Sequence, residues 1–477
     1  MEDPHELSLE SDKKDTIETQ SAVNNDSDVL SAHSSTEEYR LYKRRFSGIV
    51  GLVVLAIVTG MPWPWFGPIS NDMVAEFGIT LDQVNWLGTI MAIVYLPVSL
   101  MIPEVIRRWG IRRCCDIGVV AMLISGWVRY AGTVHSLSTR GAYALLVVGQ
   151  IFSAVAQPIF QVMGPKYSET WFDLKGRTTA TMIVAIANPV GGAIGQLLSP
   201  IVGNTRQSIL VLAIISSAAA PFLLLINSAP PTPPTYSASK ETPGLLSLLR
   251  AMLHQAGPAD PPMNNRERLD FAIMVYVFGI LSSALNVFAV LTAEILQPVG
   301  YSSDTAGFMG AALLLSGIVA AIATAPLFDR VFTFHLGITL KLLVPIIGAC
   351  WLSLIWAVKP NNTAGLYAIC VLVGVTSVTV LPVTLELACE VTRNADGSAA
   401  LLWFACNLFA VVFILVEGAL RAGHNADPPL NMHRALMFNG ILVFVSAAFV
   451  LFIKGKQTRK QVDQERQQRA ISLQTRA

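Results

Sequence analysis

The sequence predicts an all-α membrane protein of twelve transmembrane helices arranged as two six-helix halves. Three observations predict it. Only 14% of the 477 residues are charged while 53% are hydrophobic. Apolar runs of 18 residues or more, each enough to cross about 30 Å of hydrocarbon, recur along almost the whole chain. The only long polar interruption falls between the sixth and seventh runs.

Residues 1–45 are rich in Ser, Asp and Glu and hold no apolar stretch that would serve as a signal peptide, so they read as a disordered tail. Lys43-Arg44-Arg45 abuts the first run and assigns that tail to the cytoplasm. The expected spans are 46–70, 84–106, 115–134, 142–166, 178–203 and 207–228, then 270–295, 304–327, 336–358, 365–388, 399–420 and 435–453. They define an amino-terminal half (46–228), a cytoplasmic linker (229–269), a carboxy-terminal half (270–453) and a cytoplasmic tail (454–477). The connections placed inside carry Arg107, Arg108, Arg112, Arg113, Lys175, Arg177, Arg330 and Arg393, whereas the outer loops carry isolated cations such as Arg140, Arg206 and Lys359. That asymmetry supports the orientation. Within the linker, the Leu-rich piece from Gly244 to His254 reads as a short surface helix. The sequon Asn361-Asn362-Thr363 lands on an outer loop and makes Asn361 the candidate glycosylation site, although Asn25-Asp26-Ser27 in the tail shows how readily such triplets arise.

The first span is not a smooth rod. From Gly60 to Asn71 it packs Pro62, Pro64 and Pro68 among Trp63, Trp65 and Phe66. Proline removes backbone donors, and inside a bilayer the freed carbonyls survive only where protein or a water-filled cavity receives them. A broken helix therefore points inward. Its tryptophans would offer π faces to a desolvated cation, worth about 2 kcal/mol; the alternative places Trp63 and Trp65 in an interfacial belt.

Other polar groups inside the spans each need a partner or a cavity. Gln157 and Gln161 are four apart, so both amides share one helix face and line a cavity or bridge two helices. Asn188, beside Pro189, serves a freed carbonyl or a substrate. Glu386 and Glu390, near a cytoplasmic helix end, are expected to pair with Lys or Arg of neighbouring turns. Arg129 is expected to snorkel outward, and Glu417 to sit solvated near the outer surface. The six cysteines are expected as free thiols.

Several function classes drop out. Lys and Arg flank apolar runs instead of forming a basic face, so nucleic acid is not a partner. The chain contains no Ser-His-Asp or Cys-His grouping, no phosphate-cradling glycine loop and no metal-ligand cluster, which argues against an enzyme, a metal or a cofactor. The seven histidines fall in tails, loops or span ends, leaving none at mid-membrane to ligate haem iron.

A weak internal repeat relates Gly149–Pro158 in the fourth span to Gly374–Pro382 in the tenth, each a small-residue run followed by a polar group, Gln161 and Glu386. Six plus six spans, a long central loop and short turns after spans two and eight resemble the major facilitator superfamily. Leu327-Phe328-Asp329-Arg330 keeps the core of its turn motif, which implies a gating latch at Asp329 and Arg330; the first half has Arg107 where the aspartate would stand. More narrowly, the chain resembles the feline leukaemia virus subgroup C receptor-related transporters. The blocks that carry this are Trp63 with Ile69-Ser70-Asn71, Asn85-Trp86-Leu87, Gly149-Gln150 through Gln157 to Trp171-Phe172, Ala187-Asn188 with Gly191, Gly195 and Pro200, Leu285-Asn286, and Ser398 to Gly418.

That resemblance implies facilitated transport of choline and ethanolamine, with haem export also proposed for members. The family's pocket tryptophan matches Trp63 and its eleventh-helix glutamine falls on Asn407; a fifth-helix glutamine falls on Pro189 and a seventh-helix tyrosine on Gly279. The expected substrate-binding set is Trp63, Gln157, Gln161, Asn188, Asn286 and Asn407, in a plasma-membrane monomer that alternates access to a small organic solute. Two alternatives stand beside it: an exporter of a hydrophobic metabolite, xenobiotic or haem, and a multi-span receptor that moves nothing.

Overall fold

The first apolar run folds as α1 (Arg44–Gly60) and stops there, because Pro62, Pro64 and Pro68 follow and withdraw the donors a continuing helix needs. Turns occupy 61–69 before the chain resumes as the short α2 (Ser70–Phe77). The structure is a computed structural model describing residues 40–239, 244–255, 263–330, 335–423, 425–455 and 457, and among these every regular element is helical.

Thr80 and Gln83 form a reciprocal capping box that starts α3 (Leu81–Ala131). Its 51 residues would extend about 75 Å, more than twice the hydrocarbon thickness. At Gly110 (φ 77°, ψ 170°) the backbone leaves the helical region, in a conformation that only glycine adopts without strain, so α3 makes two crossings. Helices α4 (Thr139–Trp171), α5 (Arg177–Ile201) and α6 (Thr205–Ala219, continued by a 3-10 turn to Leu225) complete the first half. The linker carries α7 (Tyr236–Ser239) and α8 (Leu245–Met252). Leu245, Leu248 and Ala251 of α8 are buried while Leu246 and Leu253 are exposed, so the expected surface helix forms and lies against both α3 and α13.

The second half comprises α9 (Asn265–Leu296), α10 (Ser303–Arg330), α11 (Leu336–Ala357), α12 (Thr363–Thr392), α13 (Ala395–Ala419) and α14 (His433–Ala448). Ten helices among the described residues are long and apolar enough to cross a membrane. Counting α3 twice and adding α1 with its turns gives the expected twelve. The halves meet along α3 with α13 and α5 with α10.

Small residues set how closely the helices approach. A Cβ placed on Gly191 of α5 would lie 1.9 Å from the carbonyl oxygen of Ile57 on α1, and one on Gly374 of α12 would lie 1.9 Å from that of Leu313 on α10. Each half is thus drawn together by a glycine against a carbonyl.

Two polar expectations are overturned. Arg129 does not snorkel. It is fully buried, donating from Nη1 to Gln150 Oε1 (2.6 Å), from Nε to Ser125 O (3.1 Å) and from Nη2 to Ser125 Oγ (3.0 Å). Gly149 makes the room, since a Cβ there would meet Arg129 Cγ at 2.2 Å. Glu417 is not solvated either; it is buried and accepts from Asn439 Nδ2 at 2.8 Å. In both cases an amide on a neighbouring helix replaces the water that position along the span suggested. Glu386 and Glu390 are buried, and Thr181 Oγ1 donates to Glu386 Oε2 at 3.3 Å. The six cysteines are free thiols and five are buried.

The α1–α5 contact yields a clean test. Gly191→Val pushes a side chain into backbone that cannot rotate away, and is expected to cost about 3 kcal/mol and lower the thermal midpoint of the purified protein by several degrees. Gly192→Val, whose Cβ would meet only Pro64 Cγ at 3.8 Å, is expected to leave that midpoint nearly unchanged.

Candidate functional site

Between the two halves lies a cavity enclosing about 730 Å³, its mouth included. Trp63, Gln157, Gln161, Asn188 and Gln196 line it from the first half, and Asn286, Trp403 and Asn407 from the second. Pro64, Pro189, Leu285, Leu314 and Leu381 supply apolar wall. All six residues expected at a substrate site are brought together here. Among the described residues the lining carries no Asp, Glu, Lys, Arg or His.

The polar groups are aimed by a hub. Asn188 Nδ2 donates to the backbone oxygen of Ala56 (3.4 Å), which can only accept, and this sets the amide's orientation. Asn188 Oδ1 then receives both Gln157 Nε2 (3.3 Å) and Gln161 Nε2 (2.8 Å). Gln196 Nε2 is spent on Ala289 O (3.3 Å), Asn407 Nδ2 on Trp403 O (2.9 Å) and Asn286 Nδ2 on Cys406 Sγ (3.5 Å). Every amide nitrogen of the site therefore faces the protein. The carbonyl oxygens of Gln157, Gln161, Gln196, Asn286 and Asn407 accept from no described residue, so the cavity is rich in acceptors and poor in donors.

The two tryptophans of the broken helix part company. Trp63 is half-buried on the cavity wall. Trp65 is fully buried and donates from Nε1 to Ser208 Oγ of α6 (3.1 Å), an anchor and not a ligand group. The break itself is served as helix-break chemistry requires: Gln150 Nε2 reaches Pro62 O (3.5 Å) and Leu87 O (3.3 Å).

Hydrogen bonds tie the halves at both ends of the cavity. At the end bearing the linker, Thr181 of α5 bonds Glu386 of α12 and shares a 2.6 Å bond with Ser168 of α4. At the other end Asn85 Nδ2 of α3 donates to Glu294 Oε1 of α9 (3.3 Å), and Glu294 also pairs with Arg421. Asp329 and Arg330 close α10, but their side chains lie outside the described residues. Asn361 is exposed in the α11–α12 turn, at the end opposite the linker.

Sequence reasoning singled out neither Trp403 nor Gln196. Trp403 precedes Asn407 by one helical turn, and that spacing was the available signal. Gly279 falls outside the cavity lining; a Cβ there would lie 2.7 Å from Phe409 Cδ2, so the phenylalanine ring fills the space a larger residue would need.

The sequence profile of the Major Facilitator Superfamily matches residues 50–415. The chain belongs to this superfamily. This major facilitator protein is a membrane transporter by family and not an enzyme. It is 25% identical over 447 residues to Solute carrier family 49 member A3 of Danio rerio, covering 90% of this chain and 91% of that one. It is 20% identical to the choline/ethanolamine transporter FLVCR2 of Homo sapiens (89% and 80% covered) and 24% identical to the choline/ethanolamine transporter FLVCR1 of Felis catus (86% and 74%). Among solved structures it superposes on a double tryptophan mutant of XylE with a TM-score of 0.66 at 14% identity, covering 88% of this chain and 99% of that one. The human organic anion transporter MFSD10 gives a TM-score of 0.61 at 13% identity, with 85% and 99% covered. These two carry the fold alone.

The hub makes its own prediction. Asn188→Ala removes three hydrogen bonds at once, each worth about 1 kcal/mol, and is expected to destabilise the transporter by about 2 kcal/mol. Thermal denaturation of the purified protein, with Asn188→Asp beside it, checks this; an unchanged midpoint for the alanine variant would remove Asn188 as the organising amide.

Proposed function

We propose that this transporter moves choline, ethanolamine or a closely similar small amine by alternating access, with Trp63, Gln157, Gln161, Asn188, Asn286 and Asn407 forming the substrate site. The observation that carries the reading is the set of five amide oxygens left, among the described residues, without donors in a cavity lined by no charged one. An ammonium headgroup supplies the positive partner those dipoles lack, and the Trp63 ring offers it a π face worth about 2 kcal/mol when desolvated. The absence of a carboxylate suits a carrier, because a cation that is held only by dipoles can leave as well as enter. Relatives whose names specify choline and ethanolamine support the same cargo at 20% to 24% identity.

In this reading the protein is a plasma-membrane monomer with both tails and the linker in the cytoplasm. Asp329 and Arg330 latch the cytoplasmic side and Asn361 carries a glycan on the outer loop. The apolar cavity of about 460 Å³, its mouth included, that shares Ser282, Leu285 and Leu381 with the central one favours a second reading, export of a hydrophobic metabolite.

Uptake of labelled choline into cells expressing the protein is expected to fall about thirtyfold in Trp63→Ala and only partly in Trp63→Phe, which keeps an aromatic face. Equal uptake by wild type and Trp63→Ala refutes the assignment. Normal amine uptake without the gene, together with retention of an apolar metabolite, selects the second reading instead.

A further inference from the structure

Trp403 is buried and lines the cavity, yet its indole Nε1–H finds no acceptor among the described residues. The ring does not swing freely: it sits edge-on to Phe278, with centroids 5.3 Å apart and planes at 88°. Its backbone oxygen holds Asn407. An indole nitrogen is a donor and nothing else, and an unpaired buried donor costs stability until a partner arrives. In the same lining, Gln161 Oε1 is a buried acceptor that meets no donor among the described residues, while its own nitrogen is bonded to Asn188 Oδ1. One unmet group belongs to α4 of the first half, the other to α13 of the second.

We infer that Trp403 is the residue that reads a hydroxyl on the substrate, so that the transporter selects amino alcohols over amines without one. This rests on the proposed amine site. An ammonium group, quaternary or primary, has no lone pair and cannot accept from Trp403. A hydroxyl oxygen can, while its proton, or an N–H of a primary amine, goes to Gln161 Oε1. In choline the one hydroxyl meets both groups, and in a primary amino alcohol the ammonium can share the task; either way the ligand ties the halves together. An alkylammonium ion leaves Trp403 unmet. A carboxylate in the hydroxyl's place accepts from Trp403 but meets the amide oxygens with no cation in the lining to offset it, so betaine is rejected.

The test compares choline with propyltrimethylammonium, in which a methyl group replaces the hydroxyl, and with betaine. Each is read as thermal stabilisation of the purified full-length protein and as competition against labelled choline uptake in proteoliposomes. Wild type is expected to bind choline about tenfold more tightly than propyltrimethylammonium and to ignore betaine. Trp403→Phe, which keeps the ring contact with Phe278, is expected to bring that ratio near one by weakening choline while leaving propyltrimethylammonium unchanged. Gln161→Met provides the second variant should Trp403→Phe not fold, with the same collapse expected. A wild-type ratio near one, or a ratio preserved in the foldable variants, overturns the hydroxyl assignment and leaves the amine site standing. Wild type stabilised by neither cation overturns the amine site and this inference with it.

Discussion

The break in the first transmembrane helix is the constraint on which the rest of the structure depends. A backbone interrupted inside a bilayer has no water to fall back on, so each freed or exposed carbonyl must find a donor in the protein. Two amides from neighbouring helices reach α1 and its turns: Gln150 bonds Pro62 O and Asn188 bonds Ala56 O. Both are then committed, and their remaining atoms organise what surrounds them. Gln150 turns its oxygen to Arg129, which makes a buried guanidinium tolerable. Asn188 turns its oxygen to Gln157 and Gln161, which aims their carbonyls away from it. Gln150 serves the fracture itself, whereas Asn188 holds a carbonyl within α1 and, through its oxygen, sets the acceptor-rich face of the cavity.

The ties at the two ends of that cavity are alike in kind. Thr181 with Glu386 and Asn85 with Glu294 are hydrogen bonds between halves, each formed by a neutral donor on the first half and a carboxylate on the second. Bonds of that sort contribute about 1.5–3 kcal/mol, small enough to be exchanged when one half rocks against the other. The glycine contacts of α1 with α5 and of α10 with α12 lie within halves and keep each one a unit. Alternating access needs this division, with firm packing inside each half and exchangeable bonds between them.

Fold and chemistry part at the cavity wall. XylE and an organic anion transporter superpose on this chain over most of its length at 13% to 14% identity, so the twelve-helix frame tolerates nearly complete replacement of side chains and says little about cargo. The lining does differentiate. Among the described residues that lining holds two indoles and six side-chain amides and no formal charge.

Much of this was legible in one dimension. Hydropathy alone determined the number of crossings and the division into halves, because a bilayer imposes a minimum apolar length on every span. The prolines after Gly60 determined where the first helix ends, and the four-residue spacing of Gln157 and Gln161 determined that they share a face. Periodicity relates residues only within a helix. Which face meets which neighbour, and what that neighbour offers, was decided by tertiary packing. So Arg129 and Glu417, polar groups in the outer part of their spans, turned out to be met by Gln150 and Asn439 instead of water. Trp63 and Trp65, two residues apart, were sent to the cavity and to Ser208. Spacing put Trp403 on the face of α13 that carries Asn407, but that this face turns toward the other half was decided by packing between helices.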